Sequence, residues 1–334
     1  MKSVRYYGIH DVRFENIPIP DYGPNEVLIR VAYSGICGSD LHIYNKGFFV
    51  QNIPSTMGHE FSGIVEKIGD KVVDFAPGDH VVGNPMVPCG QCAACREGYY
   101  NACEAIGFIG EVREGCFAEY IALPASTLVK APKDVSLRSL ALAEPLAVAI
   151  NLLERAGLDS RDRLAIVGAG PIGLLSALVA MKIHGVEDIT IVNRSEGRRT
   201  LASKAGIPRV LDSLPEGELF DTVIETAGKP QSFDQALVHT KPGGNICVVS
   251  IFEENFQSSI NTIVGRELKI IGCNAYTQDH IAKAVKIISS GIFDFSTIIT
   301  GEFDLREGSR AFEIISKPGP VHGKIVFRNT IMEE

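Results

Sequence analysis

A chain of 334 residues, 45% hydrophobic and 22% charged, has the size and composition of one large or two medium globular domains. Its formal charge of −8, with no block of Lys and Arg, excludes the basic stripe that a nucleic-acid partner would require. No apolar run reaches the roughly 18 residues of a membrane helix. Met1-Lys2-Ser3-Val4 leads straight into a strand-like segment without the apolar core of a signal peptide, so a soluble cytoplasmic protein is expected.

In chain order, residues 1 to about 147 are rich in short β-type segments such as 26–31, 63–68 and 79–82. Turn signals separate them, among them Tyr22-Gly23-Pro24-Asn25 and Ala76-Pro77-Gly78-Asp79. This is the texture of a partly open β-barrel. Within it, Cys89, Cys92, Cys95 and Cys103 crowd into 15 residues. Nothing else suggests secretion, so the cluster points to a metal rather than to disulfides. Four thiolates fill the closed tetrahedral shell of a structural zinc, and Gly90 and Gly98 let the backbone turn around it. An iron–sulfur cluster is the chemical alternative.

Near Ala141 the texture changes. A helix is predicted over 141–156, followed by buried-type strands at 163–167, 188–192, 220–224, 245–249 and 267–271 with helices between them. Such alternation implies right-handed crossovers and a doubly wound parallel sheet. Gly168-Ala169-Gly170-Pro171-Ile172-Gly173 follows the first of these strands and opens a helix, the context that makes it a dinucleotide site. Gly168 permits the turn, Gly170 admits the pyrophosphate to the backbone, and Gly173 lets helix and strand pack closely. Where a ribose-binding carboxylate would stand, the second strand ends in Asn193-Arg194-Ser195, with Arg198 and Arg199 behind. A guanidinium pairs with a 2′-phosphate that a carboxylate would repel, so the sequence leans towards NADP. The other reading leaves the arginines as a solvated helix start and Asn193 on an ordinary ribose. A helix at 280–290 and two more strand-like pieces close the chain.

A second set of ligand-type residues is spread through the first domain. Cys37 stands in Gly35-Ile36-Cys37-Gly38-Ser39-Asp40-Leu41-His42, His59 and Glu60 in Gly58-His59-Glu60-Phe61-Ser62-Gly63, and Glu144 in Ala143-Glu144-Pro145. Singly, each reads as a core thiol, a core histidine or a helix-start carboxylate. Beside a dinucleotide fold they suggest a thiolate, an imidazole and a carboxylate around a zinc with an open position.

The glycine-flanked His59-Glu60 segment, with Gly69 and Val72 beyond it, forms one set of landmarks. The four-cysteine lobe, the 168–173 glycine motif and Lys241-Pro242-Gly243-Gly244 form the other. Together they resemble the zinc-containing medium-chain alcohol dehydrogenases along essentially the whole chain. Glu144 in Glu-Pro-Leu resembles the sorbitol/polyol branch. That resemblance implies a GroES-like catalytic domain (1–147, completed by 275–334) holding a catalytic and a structural zinc, and a Rossmann domain (148–274) for NAD(P). It implies Glu144 first, and Glu60 as the alternative, at the catalytic metal, with Ser39 and His42 relaying the alcohol proton outwards. It also implies a homodimer or homotetramer built at the sheet edge near 268–272, acting on a small polyhydroxylated alcohol or ketone. Two departures bear on substrate. Cys116 replaces the second glycine of Gly-Gly-Phe-Ala-Glu-Tyr, either crowding the cleft or packing as a small hydrophobe, and Ala275 replaces the arginine of sorbitol dehydrogenases. Segments 35–44 and 144–156 are also similar to deoxy-scyllo-inosamine dehydrogenases, which keeps cyclitols open. Two competing functions are a zinc-free enone or quinone reductase and a non-catalytic NAD(P)H-binding protein. Each predicts missing ligand or relay residues, and none is missing.

Overall fold

The computed structural model describes residues 1–317 and 322–329. The chain divides into two compact units. Unit 1 comprises Met1–Glu144, Thr277–Gly291 and Ile299–Glu334, and unit 2 comprises Pro145–Tyr276 and Ile292–Ile298. Within the segment from Thr277 onwards, 318–321 and 330–334 lie outside the described residues.

Unit 1 is built on a seven-stranded sheet. Its path runs Leu128–Ala131, His80–Gly83, Glu60–Ile68, Glu26–Gly35, Lys324–Arg328 and Ile299–Asp304, with Tyr120–Pro124 also pairing on Glu26–Gly35. All neighbours are antiparallel except the last two strands, which run parallel. A parallel pair needs a crossover, and the helix Gly308–Ser316 lies between them in the chain. Sequence reading gave two strand-like pieces here but not their pairing. A second sheet holds Asp11–Asn16, Lys2–Gly8 and Ser55–Thr56. The core is aromatic: Phe117 meets Phe327 edge-on at 5.0 Å and Phe312 at 6.2 Å, with Phe61, Ile29 and Val31 around them. Each such buried ring contributes about 1.5–3 kcal/mol of burial free energy.

Unit 2 carries six parallel strands in the order Arg209–Leu211, Ile189–Val192, Leu164–Val167, Phe220–Glu225, Thr240–Val248, Lys269–Gly272. This is the 3-2-1-4-5-6 order of a Rossmann sheet, whose ligands bind at the carboxyl ends beside the first strand. Leu164, Ala165 and Ile166 are fully buried, as a central parallel strand requires. The fifth strand begins at Thr240, earlier than the predicted 245. Thr240 pairs with Phe220 and Asn245 with Thr222, so Lys241–Gly244 bulges out between two registered pairs. The helix predicted over 141–156 is Ala143–Ala156, and a separate short helix, Leu137–Leu140, precedes it.

Candidate active site

Three strands bring the catalytic candidates of unit 1 together. Gly35 pairs with Glu60 on one side and Val326 on the other, and the Ile36 amide donates to the Ile325 carbonyl at 2.9 Å. Cys37 follows directly and caps the helix Gly38–Lys46. The ligand atoms of Cys37, His59 and Glu60 all lie within 4.8 Å of one another, the reach of one metal ion. Glu144 starts the helix Ala143–Ala156 and stands near enough to His59 to act on its charge. The structure thus places Glu60, the alternative third ligand, within the cluster and Glu144 beside it.

Two residues that the sequence did not flag hold this arrangement. Lys324, only 2% exposed, puts its Nζ at 2.6 and 2.7 Å from the Glu60 carboxylate oxygens and at 3.1 Å from the Ile36 carbonyl. A Cβ on Gly35 would lie 2.1 Å from Glu60 Oε2, so glycine is needed for the carboxylate to pass over the strand. Asp40, fully buried, accepts from the Cys37 amide at 2.8 Å and stands 3.9 Å from His59 Nδ1. That is the place of an outer carboxylate that orients a ligating imidazole. Burial alone would depress the His59 pKa, but Cys37 and Asp40 lift it well above the ordinary histidine value. Surroundings that pull a proton onto a buried imidazole favour a divalent cation equally, so the donor set suits zinc.

Ser39 and His42 sit three residues apart on the helix Gly38–Lys46, on one face, and both are half-buried. The His42 ring stacks on the exposed Phe48 at 6.3 Å. Cys116 does not crowd a cleft. It is fully buried, with its amide on the Gly58 carbonyl and its Sγ 3.5 Å from the Glu60 carbonyl oxygen.

The four lobe cysteines converge within the same 4.8 Å. Gly90 and Gly98 take φ of +74° and +82° with open space around them, so backbone conformation rather than crowding demands glycine. The amide of Cys89 donates to Cys103 Sγ at 3.3 Å and that of Cys92 to Cys89 Sγ at 3.4 Å. Amides of Cys95 and Glu104 hold the Cys92 thiol down to about 6, while burial and then its sulfur neighbours push Cys95 up to about 12. Thiols packed this closely resist ionising together without a cation, and four sulfurs with supporting amides suit zinc.

In unit 2, Gly168 has φ +117° directly after the first strand, and Gly170 caps the helix Pro171–Lys182 with Pro171 at its first position. A Cβ on Gly173 would lie 2.0 Å from the Gly168 carbonyl oxygen, whereas at Gly170 the nearest atom is Arg198 Nη1 at 3.0 Å. Ile172 lies between them in the first turn. A cavity of about 510 Å³ opens here, lined by Gly168, Asn193, Arg194, Arg199, Asp212 and Lys229 among others. The two guanidinium groups behind Arg194 diverge. Arg199 donates to the carbonyls of Asn193 and Arg194, both at 2.8 Å, and so braces the loop. Arg198 points back at the glycine turn, a placement that spacing alone could not distinguish. Asn193 Oδ1 accepts from the Ser195 amide at 2.9 Å, and Arg194 is exposed. Below the turn, buried Glu225 takes the amides of Ala227 and Gly228 and the hydroxyls of Ser232 and Ser250, which fixes the loop before Lys229.

The family model for the alcohol dehydrogenase GroES-like domain matches residues 23–133, and that for zinc-binding dehydrogenases matches 171–290. A sorbitol dehydrogenase of Bacillus subtilis is 32% identical over 329 residues, covering 94% of this chain and 93% of its own. The chain belongs to the zinc-containing alcohol dehydrogenase family. Among solved structures, a zinc-binding dehydrogenase from Sinorhizobium meliloti bound to NADP superposes with a TM-score of 0.91 at 30% identity, over 98% of each chain. Galactitol-1-phosphate dehydrogenase from Escherichia coli does so at 0.91 and 28%, over 98% of this chain and 100% of its own. The chain is therefore an NAD(P)-dependent dehydrogenase of the polyol type. The zinc-free reductase and non-catalytic readings fall away. Among the described residues no helix is long and apolar enough to cross a membrane.

Proposed function

We propose that this dehydrogenase interconverts a secondary alcohol and a ketone of a polyol, sugar, sugar phosphate or cyclitol, with a preference for NADP. The observation that carries the reading is the convergence of Cys37, His59 and two carboxylates beside the helix that bears Ser39 and His42. Cys37, His59 and Glu144 would ligate a catalytic zinc. Glu60 is a weaker candidate for the resting ligand because Lys324 occupies both its oxygens. Cys89, Cys92, Cys95 and Cys103 would hold a second, structural zinc. When bound, the catalytic zinc supplies Lewis-acid polarisation of the substrate oxygen, and the nicotinamide supplies the hydride acceptor.

The chain's own residues do the rest. Ser39 Oγ takes the hydroxyl proton, and His42, one helical turn further out, receives it towards solvent. Asp40 keeps the His59 imidazole oriented. Arg198 and the backbone N–H groups of Gly170, Ile172 and Gly173 receive the pyrophosphate at the helix N-terminus beside the Gly168 turn, and Gly173 keeps that helix close to the strand. Pro171 fits the first helical position. Arg194 and Lys229 face the space that a 2′-phosphate would occupy, with Asn193 in place of a repelling carboxylate. A cytoplasmic homodimer or homotetramer would form at the edge strand Lys269–Gly272, whose Ile270 is 41% exposed. The domains proposed are a catalytic one at 1–147 with 275–334 and a cofactor one at 148–274. The test is a screen of polyols, sugar phosphates and cyclitols with NAD and NADP, following nicotinamide reduction. Absence of alcohol-dependent reduction by zinc-replete protein would overturn the proposal.

A further inference from the structure

At the carboxyl ends of the parallel strands in unit 2, one buried carboxylate joins three loops. Glu225, 0% exposed, is the last residue of the strand Phe220–Glu225. Its Oε1 accepts from the amides of Ala227 and Gly228, both at 2.8 Å, and from the Ser232 hydroxyl at 2.6 Å, while Oε2 takes the Ser250 hydroxyl. Every one of these partners is a donor, as an acceptor-only carboxylate requires. The next residue, Thr226, ties the loop to the glycine turn. Its amide donates to the Val167 carbonyl at 2.9 Å, and its Oγ1 donates to the Gly168 carbonyl at 3.0 Å. Gly228 has φ +65°, and a Cβ there would lie 2.5 Å from the Ile251 carbonyl oxygen. The loop is therefore also pressed onto the segment that follows the strand Thr240–Val248.

The loop ends at Lys229. The Lys229 amide donates to Ser232 Oγ at 3.1 Å, and the same Oγ lies 2.6 Å from the Lys229 carbonyl. The hydroxyl held by Glu225 thus also fixes the backbone from which the Lys229 side chain departs. Lys229 and Ser232 both line the cavity of about 510 Å³. Lys229 reaches it from the end of Phe220–Glu225 and Arg194 from the end of Ile189–Val192, the two strands that flank Leu164–Val167. Three cations, Arg194, Arg199 and Lys229, line this cavity against one carboxylate, Asp212, so it suits an anionic ligand. Arg199 is engaged by the loop carbonyls, whereas the Lys229 ammonium pairs with no carboxylate among the described residues. A lysine ammonium is a point charge on a flexible stem, so its contact is selective only where its backbone is held.

We propose that Glu225 is a positioning residue for recognition of the cofactor's 2′-phosphate: through Ser232 it holds Lys229 where the ammonium meets that phosphate. Selectivity for NADP is then set partly by a buried carboxylate that itself touches no cofactor atom. This rests on the NADP preference proposed above, but not on which alcohol is oxidised.

The test uses the full-length, zinc-replete protein and two fragments that differ only in the 2′-phosphate, adenosine 2′,5′-bisphosphate and adenosine 5′-monophosphate. Both are titrated by calorimetry, and the readout is the affinity margin between them, because a general loosening of the unit weakens both alike. Lys229→Met should cut the margin about tenfold or more, as for one charge-assisted contact. Ser232→Ala, which removes the link and keeps the carboxylate, should cut it about threefold or more. Glu225→Gln should do likewise, and the serine variant carries the test if the glutamine one fails to fold. On a Lys229→Met background neither substitution should change the margin further, a result that a merely structural role does not produce. A margin that survives Ser232→Ala, or losses that add to that of Lys229→Met, would overturn the proposal. A margin removed by Arg194→Ala but untouched by Lys229→Met would also overturn it while sparing the NADP preference. A wild-type protein that binds both fragments equally would refute the NADP preference itself, and this proposal with it.

Discussion

Replacing Lys324 by methionine removes one half of a buried ion pair and keeps most of the volume. Both partners are enclosed, Lys324 at 2% exposure and Glu60 at 0%, and Nζ holds both carboxylate oxygens at 2.6 and 2.7 Å. Losing one partner of such a pair typically costs about 3–5 kcal/mol, because a charge is left buried and uncompensated. At about 2–4 °C per kcal/mol for a unit of this size, the melting temperature should fall by about 6–20 °C. The pH dependence has a definite sign. Burial opposes the Lys324 charge, but Glu60 and Cys37 more than restore it, so its pKa lies above the ordinary 10.5. The ion pair's stabilisation is therefore fully present below that value and is lost only as pH rises through the raised one. Thermal unfolding in the presence of chelator should show a constant deficit for Lys324→Met at neutral pH. Adding Glu60→Gln should recover much of it, since a neutral amide needs no cation. A single variant melting within about 2 °C of wild type would refute the argument, as would a second substitution that deepens the loss.

Three further outcomes follow from the candidate sites. Metal analysis should find about two zinc equivalents. Cys95→Ser should lose one with a drop in stability, and Cys37→Ser should lose the other with its activity while the fold persists. Arg194→Ala should weaken NADP binding about tenfold or more and leave NAD nearly unchanged, as expected for one charge-assisted contact to the 2′-phosphate. Arg198→Ala should weaken both cofactors alike, and fluorescence titration with each separates the two arginines. Ser39→Ala should slow alcohol oxidation by about 10²–10⁴-fold with zinc content and cofactor affinity intact. His42→Ala should cost less and respond to added imidazole in steady-state assays, and no response would remove His42 from the proton route.

The features legible in sequence were those whose chemistry is local. Four cysteines within 15 residues encode their own convergence, because the loop between the first and last is short enough to turn around an ion. The glycine motif is similarly self-contained: a strand, a turn at φ +117° and a helix capped by Gly170 are consecutive. What spacing could not supply was helix phase and strand pairing. Arg198 and Arg199 are neighbours, yet one turns towards Gly170 and the other folds onto the carbonyls of the loop. Lys324 lies 264 residues from Glu60 and reads as an ordinary strand lysine until the last strand joins Glu26–Gly35. Asp40 was hidden for another reason. A carboxylate three residues after a helix N-cap looks like simple capping, and it does cap Cys37 while also facing His59.

The same pairing bears on why this site has two carboxylates near one histidine. Glu60 is adjacent to His59 in sequence, so on an extended strand the two side chains start out on opposite faces. The Glu60 side chain crosses over Gly35 to the far strand, where only a glycine leaves room for it, and there it meets Lys324. The ion pair therefore ties three strands at the point where Cys37 leaves the sheet. A carboxylate held by a buried ammonium has less negative charge to offer a metal than one at a helix start, such as Glu144. In the proposed site, Lys324 would thus weaken Glu60 relative to Glu144 as a ligand for the zinc. The fold reaches that balance only when its last described strand, Lys324–Arg328, is in register with Glu26–Gly35.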